Sequence, residues 1–173
     1  MRSLGLLMQT LIDLWDVAEE VFLFQGQRIE ITLEDVYFIT GLPILGVVGD
    51  LEPVLSLGET LEDLCDQHCY ATTYVRGSYI LMCDIEELST REVGTLLQCI
   101  LGSIGSHKIS GGQLQLVEHV IGGTYYAWDH MYLQAVRYQL NKSKTTGAGF
   151  CFGSFLCAFF FEKVPTIHPH WAM

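Results

Sequence analysis

Residues 29–46 read I-E-I-T-L-E-D-V-Y-F-I-T-G-L-P-I-L-G, and the punctuation of this stretch sets the architecture. Ile29 and Ile31 flank Glu30 in the alternation of a short half-buried strand. Thr32 precedes Asp35 by one helical turn. Its hydroxyl is placed to accept the backbone N–H of the third helical residue while the Asp35 carboxylate reaches back. Glu34 and Asp35 put negative charge in the first turn, where the helix dipole favours it. Val36, Ile39 and Thr40 recur at helical spacing. Gly41 supplies the left-handed conformation that closes a helix, and Pro43 cannot continue one. The stretch predicts a strand, a capped short helix and a hard stop, which is framework rather than chemistry.

Working outward, the sequence predicts a mainly α protein: a helical bundle with one small N-terminal β-hairpin. Leu4, Leu7, Leu11, Leu14 and Ala18 recur at three and four, an amphipathic helix of about four turns. Residues 21–24 and 28–31 pair as a hairpin across Gln25-Gly26-Gln27. Residues 46–59 carry Gly46, Gly49, Pro53 and Gly58 and read as a loop. Thr60 with Asp63 opens a helix through about Tyr70, and Ser89 with Glu92 caps another running to about Ile104. Residues 102–112 form a glycine- and serine-rich connector. Helices follow at about 113–121, 124–141 and 149–163, and Pro165 and Pro169 stop the last one. Residues 149–161, G-F-C-F-G-S-F-L-C-A-F-F-F, leave no polar face except at Ser154. A helix apolar all round must be covered all round. This one is therefore expected at the centre, packed by the helices at 90–104 and 124–141, with Gly153 admitting a close backbone approach.

At 173 residues, half of them hydrophobic and with a mean hydropathy of +0.31, the chain suits one folded domain over 1–173. Residues 1–66 hold 2 basic and 13 acidic side chains, whereas 67–173 hold 7 of each, so the net charge of −11 lies in the first third. That distribution opposes direct nucleic-acid binding, which rests on neutralising phosphates with Lys and Arg. It predicts a basic partner for the acidic third. Six cysteines at 65, 69, 83, 99, 151 and 157 sit in apolar runs and read as reduced and mostly buried. L-G-L-L-M after Met1-Arg2 faintly resembles a secretory signal, but Gln9 and Thr10 break it. The longest apolar run, 148–161, is shorter than the roughly 20 residues that span a bilayer. The expectation is a soluble intracellular protein.

The opening stretch also resembles the signature of the plant mobile domain family. These proteins are labelled aminotransferase-like and are similar to the serine/threonine-protein phosphatase 7 long form homologue. The family pattern is matched in order by Trp15, the short run Phe22-Leu23-Phe24, Gly26, Thr32-Leu33-Glu34-Asp35-Val36 and Gly41-Leu42-Pro43 with Gly46. Further on, Gly123-Thr124-Tyr125-Tyr126-Ala127-Trp128 is similar to the family's aromatic helix start, and Phe160-Phe161-Glu162-Lys163-Val164-Pro165 with Pro169 to the end of its buried helix. The family's R-A-Y-x-L-x-L-L-G helix is matched only weakly by 93–105, and its F-P-D is absent. Family domains run longer, so the resemblance implies a divergent, shortened or truncated member. It further implies a nuclear, non-enzymatic interaction domain in transposable-element silencing, genome stability or meristem maintenance, either host-encoded or transposon-derived. The implied partner is a phosphatase-like or basic nuclear protein.

The chemical candidates are thin. Lys108 in G-S-H-K-I-S-G-G is the one lysine resembling a pyridoxal Schiff-base residue, but a short helical domain has little room for the rest of such a site. Its loop also fails the phosphate-binding spacing of a P-loop. Cys65, His68 and Cys69 share a helical face, yet zinc normally takes four ligands, and His107, His119 or Cys83 could supply one only by accident of folding. Asp129 and His130 near His119, with Ser103, Ser106 and Ser110, invite a hydrolase reading, but no G-x-S-x-G elbow is present. Neighbouring helical residues also point about 100° apart, so adjacency predicts no Asp129–His130 pairing. No cofactor, metal or catalytic set is expected. Tyr125, Tyr126 and Trp128 are the candidate interface residues, among aromatics that include Tyr132 and Tyr138 and that otherwise belong to the core.

Overall fold

Helix α1 (Arg2–Asp13) stops before its apolar periodicity does, in a computed structural model that describes residues 2–49, 79–81, 88–101 and 108–164. The predicted fourth turn is replaced by a short strand β1 (Trp15–Asp16). Two local causes are visible. Asp16 Oδ1 accepts the backbone N–H groups of Ala18 and Glu19, both at 2.9 Å, a turn that competes with the helix. The buried Trp15 indole N–H donates to Asn141 Oδ1 at 2.7 Å, which holds the chain extended there.

Strand β1 pairs antiparallel with β2 (Val21–Phe24), and β2 pairs with β3 (Gln27–Ile29). The expected hairpin is thus the outer part of a three-stranded sheet. Its turn is two residues rather than three, because Gln27 pairs with Phe24 in the ladder. Gln25 and Gly26 have φ of 50° and 77°, the positive values that a type I′ hairpin turn requires at both central positions.

Helix α2 (Leu33–Thr40) has the predicted ends. Thr32 Oγ1 accepts the Asp35 N–H at 3.2 Å and Asp35 Oδ2 accepts the Thr32 N–H at 2.9 Å. Gly41 closes the helix at φ 71°, its N–H donating to Tyr37 O at 2.8 Å.

Two strands appear where sequence gave no period. Strand β4 (Tyr79–Leu81) pairs antiparallel with β5 (Lys108–Ser110), inside the expected connector. Helix α3 (Leu88–Ile100) already contains Ser89, the residue the sequence placed at its cap. Helix α4 (Gly111–Ile121) follows β5 directly. Helix α5 (Trp128–Thr146) starts later and ends later than expected, closing at Gly147 with φ 70°. The late start has a cause: the backbone of 125–127 is engaged by Val47 in a parallel bridge. Helix α6 (Gly153–Lys163) starts after Phe152, whose buried ring lies 4.9 Å from that of Tyr132.

The core centres on Phe22, with ring centroids 4.8 Å from Trp15, 4.9 Å from Phe160 and 6.0 Å from Phe159. Helix α6 is buried along Phe155, Leu156, Phe159 and Phe160, while Ser154 and Glu162 are exposed and Cys157, Ala158 and Phe161 half-buried. It packs against α2 and the sheet and reaches α5 through Tyr132, whereas α3 packs on α4 and α5. Among the described residues the exposed edge of α6 is therefore polar, at Ser154, Glu162 and Lys163, while none of its phenylalanines is exposed. A Cβ at Gly153 meets the Met8 sulfur at 3.2 Å, so the neighbour is a flexible side chain of α1 and not a backbone. Cys99 and Cys151 are free and exposed and Cys157 is free and half-buried, against the expectation of burial. The expected helix from Thr60, with Cys65, His68 and Cys69, lies outside the described residues. So do Cys83, Ser103, Ser106, His107, Pro165 and Pro169. The chain is mainly α-helical with a small antiparallel sheet near its N-terminus. Among the described residues no helix is long and apolar enough to cross a membrane.

Candidate functional site

After Gly41 the chain runs irregularly through residue 49 along the start of α5. Val47 N–H donates to Tyr125 O at 2.8 Å, and Ala127 N–H donates to Val47 O at 3.0 Å. Pro43 O accepts the Asp129 N–H at a longer 3.4 Å. The two stretches are held so close that Gly46, at φ 140°, leaves no space for a side chain. A Cβ there would lie 2.6 Å from Tyr125 O and 2.7 Å from Tyr126 C. The G-L-P-x-x-G spacing is thus explained by a helix stop and then a close backbone approach.

This packing turns apolar side chains outward. Phe38 is 82% exposed, Leu45 80% and Tyr125 83%, and Tyr37, Ile44, Val47 and Val48 are exposed as well. Leaving a side chain such as Phe38 in water forgoes about 1.5–3 kcal/mol relative to burial. Of the three expected interface aromatics, only Tyr125 faces solvent. Tyr126 is buried, its hydroxyl 2.9 Å from His119 Nδ1, and burial raises its pKa. Trp128 opens α5 half-buried, its ring 5.3 Å from Tyr126. Tyr132 is held by Phe152 and Phe155 at 4.9 and 5.4 Å, and burial pushes its phenol up to about 12.

Most other signature residues act as framework. Trp15 is core, Gly26 makes the hairpin turn, and Thr32 and Asp35 form the cap. Leu33 is the first helical residue, and Leu42 N–H donates to Thr40 Oγ1 at 3.2 Å. Glu162 is exposed on α6.

Three acidic side chains of the first third, Glu20, Glu30 and Asp35, are met by cations from the far end of the chain. Arg137 donates to Ile31 O at 3.1 Å, to Glu30 Oε1 at 3.3 Å and to Glu20 Oε2 at 3.4 Å. Asn141 donates to Glu20 Oε1 at 3.0 Å, and Lys163 Nζ lies 2.7 Å from Asp35 Oδ1. Arg28 pairs with Glu19 at the surface. Sequence spacing carried no signal for Arg137, which joins α5 to the sheet.

The catalytic candidates are dispersed. Lys108 lies in β5 rather than a loop. Asp129 and His130 do pair, with Oδ1 and Nδ1 3.1 Å apart, contrary to the adjacency argument. They occupy the first turn of α5, where no preceding turn crowds the side chains. Asp129 Oδ2 is buried without a hydrogen-bond partner. Among the described residues no hydroxyl or thiol is shown hydrogen-bonded to His130. No group of three His, Cys, Asp or Glu among the described residues is arranged to hold a metal. No family profile, curated protein or solved structure matches this chain.

Proposed function

We propose that this chain is a non-enzymatic protein-interaction domain of the plant mobile domain kind. Its role would be nuclear regulation, in transposable-element silencing, genome stability or meristem maintenance. One observation carries the interaction reading: the stretch that bears the family resemblance also presents the exposed apolar side chains Phe38, Leu45 and Val48, with Tyr125 beside it. Exposed apolar patches mark protein or membrane interaction sites or ligand-binding grooves. The partner in this reading is a phosphatase-like or basic nuclear protein.

Tagged full-length chain expressed in plant cells tests the reading. Mass spectrometry of captured nuclear proteins should show a defined set that a Leu45→Ser/Tyr125→Ser variant loses. Capture no different from the variant counts against it. Localisation outside the nucleus removes the nuclear role. Rival classes have their own readouts: a Lys108-dependent absorbance with pyridoxal phosphate supports an enzyme, and steep salt-dependent DNA affinity supports a nucleic-acid module.

A further inference from the structure

Helices α2 and α6 pack side by side and leave an open groove of about 550 Å3, lined by Asp35, Phe38, Ile39, Ala158, Glu162 and Lys163. The volume falls in the range of roughly 300–1,000 Å3 of ligand-binding clefts. Its apolar wall is Phe38 and Ile39 from α2, and the small Ala158 of α6 leaves the space opposite. Phe38 stands 82% exposed on this wall.

The polar lining defines the sign of a guest. Among the described residues of the lining Lys163 is the one cation, and that charge is spent on Asp35 at 2.7 Å. Asp35 is saturated in turn, its Oδ2 accepting from Thr32 N–H at 2.9 Å and Thr32 O–H at 2.7 Å. Glu162 has no cation or hydrogen-bond partner among the described residues and is exposed. Glu34, in the first turn of α2, is exposed and likewise unpaired among them. The groove thus carries uncompensated negative charge beside an apolar wall.

We propose that this groove takes the face of a basic amphipathic helix from a protein partner. An apolar side chain enters between Phe38, Ile39 and Ala158, and a flanking Lys or Arg pairs with Glu162. Both walls are helices whose backbone groups bond internally, so the groove offers no free edge for strand addition. Recognition falls to side chains, as in helix-in-groove docking. An anionic guest meets no free cation among the described lining residues. The inference rests on the interaction-domain reading and names the chemistry of one partner surface.

The test uses full-length chain and a fluorescent synthetic peptide of about 14 residues, long enough to form a helix on binding, with Leu on one face and Lys on the other. A Leu/Glu peptide of the same pattern is the control. Anisotropy should show saturable binding of the Leu/Lys peptide alone, weakening as salt rises. Phe38→Ser and Glu162→Lys should each weaken it tenfold or more, while Glu92→Lys on α3 matches the charge change outside the groove lining and should have a smaller effect. All three positions described here lie at exposed sites, and circular dichroism melts confirm folding. Absence of saturable binding, equal binding of the two peptides, or equal effects of Glu162→Lys and Glu92→Lys overturns the proposal. If wild-type chain captures nuclear partners that Phe38→Ser still captures, the groove fails and the interaction reading stands. If the peptide binds as described and no nuclear partner is captured, the groove stands and the nuclear reading fails.

Discussion

Lys163 Nζ lies 2.7 Å from Asp35 Oδ1, so the last turn of α6 is tied to the first turn of α2. The same carboxylate closes the capping box through its other oxygen. Burial acts to raise the Asp35 pKa, but hydrogen bonds from Lys163 and Thr32 act more strongly and hold it below 3.8. A lowered folded-state pKa contributes stability above the unfolded value, and that contribution is lost as pH falls through the folded value. Asp35→Asn should therefore cost about 1–2 kcal/mol at neutral pH. The gap to the parent should close as pH falls below 3.8. Urea unfolding across that range measures it, and a gap that widens in acid would contradict the assignment. Lys163→Met should cost less, about 0–1 kcal/mol, because its side chain is partly exposed.

Gly46→Ala should cost more than Gly41→Ala. Both residues have positive φ, 140° and 71°, but nothing lies within 4 Å of a Cβ at Gly41. There the penalty is the left-handed conformation, about 1–2 kcal/mol. At Gly46 the new methyl also meets Tyr125 O at 2.6 Å, and backbone cannot rotate aside as a side chain can. The expected cost is about 2–4 kcal/mol, with the bridge to Val47 disrupted. Denaturant midpoints decide it, and equal midpoints for the two variants would remove the close-approach explanation.

Local chemistry was legible in the sequence, and remote chemistry was not. The Thr32/Asp35 cap and the Gly41 closure need only neighbours, so spacing revealed both. The early end of α1 was hidden because part of its cause is Asn141, 126 residues from Trp15. Strand β5 was hidden for the same reason: Lys108 is extended because Leu81 pairs with it. The charge count could not show Arg137 returning to Glu20 and Glu30. At the candidate site, sequence named Tyr125, but it also named Tyr126, which the fold buries. It passed over Phe38 and Leu45, whose exposure follows from how α2 and its trailing loop pack. Their apolar character inside the signature stretch was the available signal.

Arg137 offers a test of that long-range polar link. Its bonds to Glu20 and Glu30 are long and partly solvated, whereas Ile31 is fully buried and its carbonyl accepts at 3.1 Å. Arg137→Met should cost about 1–3 kcal/mol, chiefly by orphaning that carbonyl, and the loss should persist in high salt. Glu30→Gln should change stability by less than about 1 kcal/mol, and salt should erase the effect. Equal, salt-sensitive losses in the two variants would place the energy in the ion pairs instead.

The phenylalanines divide into two classes that one pair of measurements separates. Phe159 is fully buried between Phe22 and Phe155, with centroids at 6.0 and 6.3 Å, and Phe160 lies 5.6 Å from it. Truncating such a ring loses its transfer energy and leaves a cavity, so Phe159→Ala should cost about 3–5 kcal/mol. Phe38 touches Tyr37 at 5.7 Å but is otherwise in water, so Phe38→Ser should change stability by no more than about 0.5 kcal/mol. Binding of a hydrophobic dye should run the other way. The parent should bind dye through Phe38, Leu45 and Tyr125, and a Phe38→Ser/Leu45→Ser variant should bind less without a lower melting temperature. Sedimentation should show any self-association of the parent weakening in the same variant. If dye binding is unchanged in that variant, the exposed apolar surface lies elsewhere, and the signature stretch is not what the chain presents to a partner.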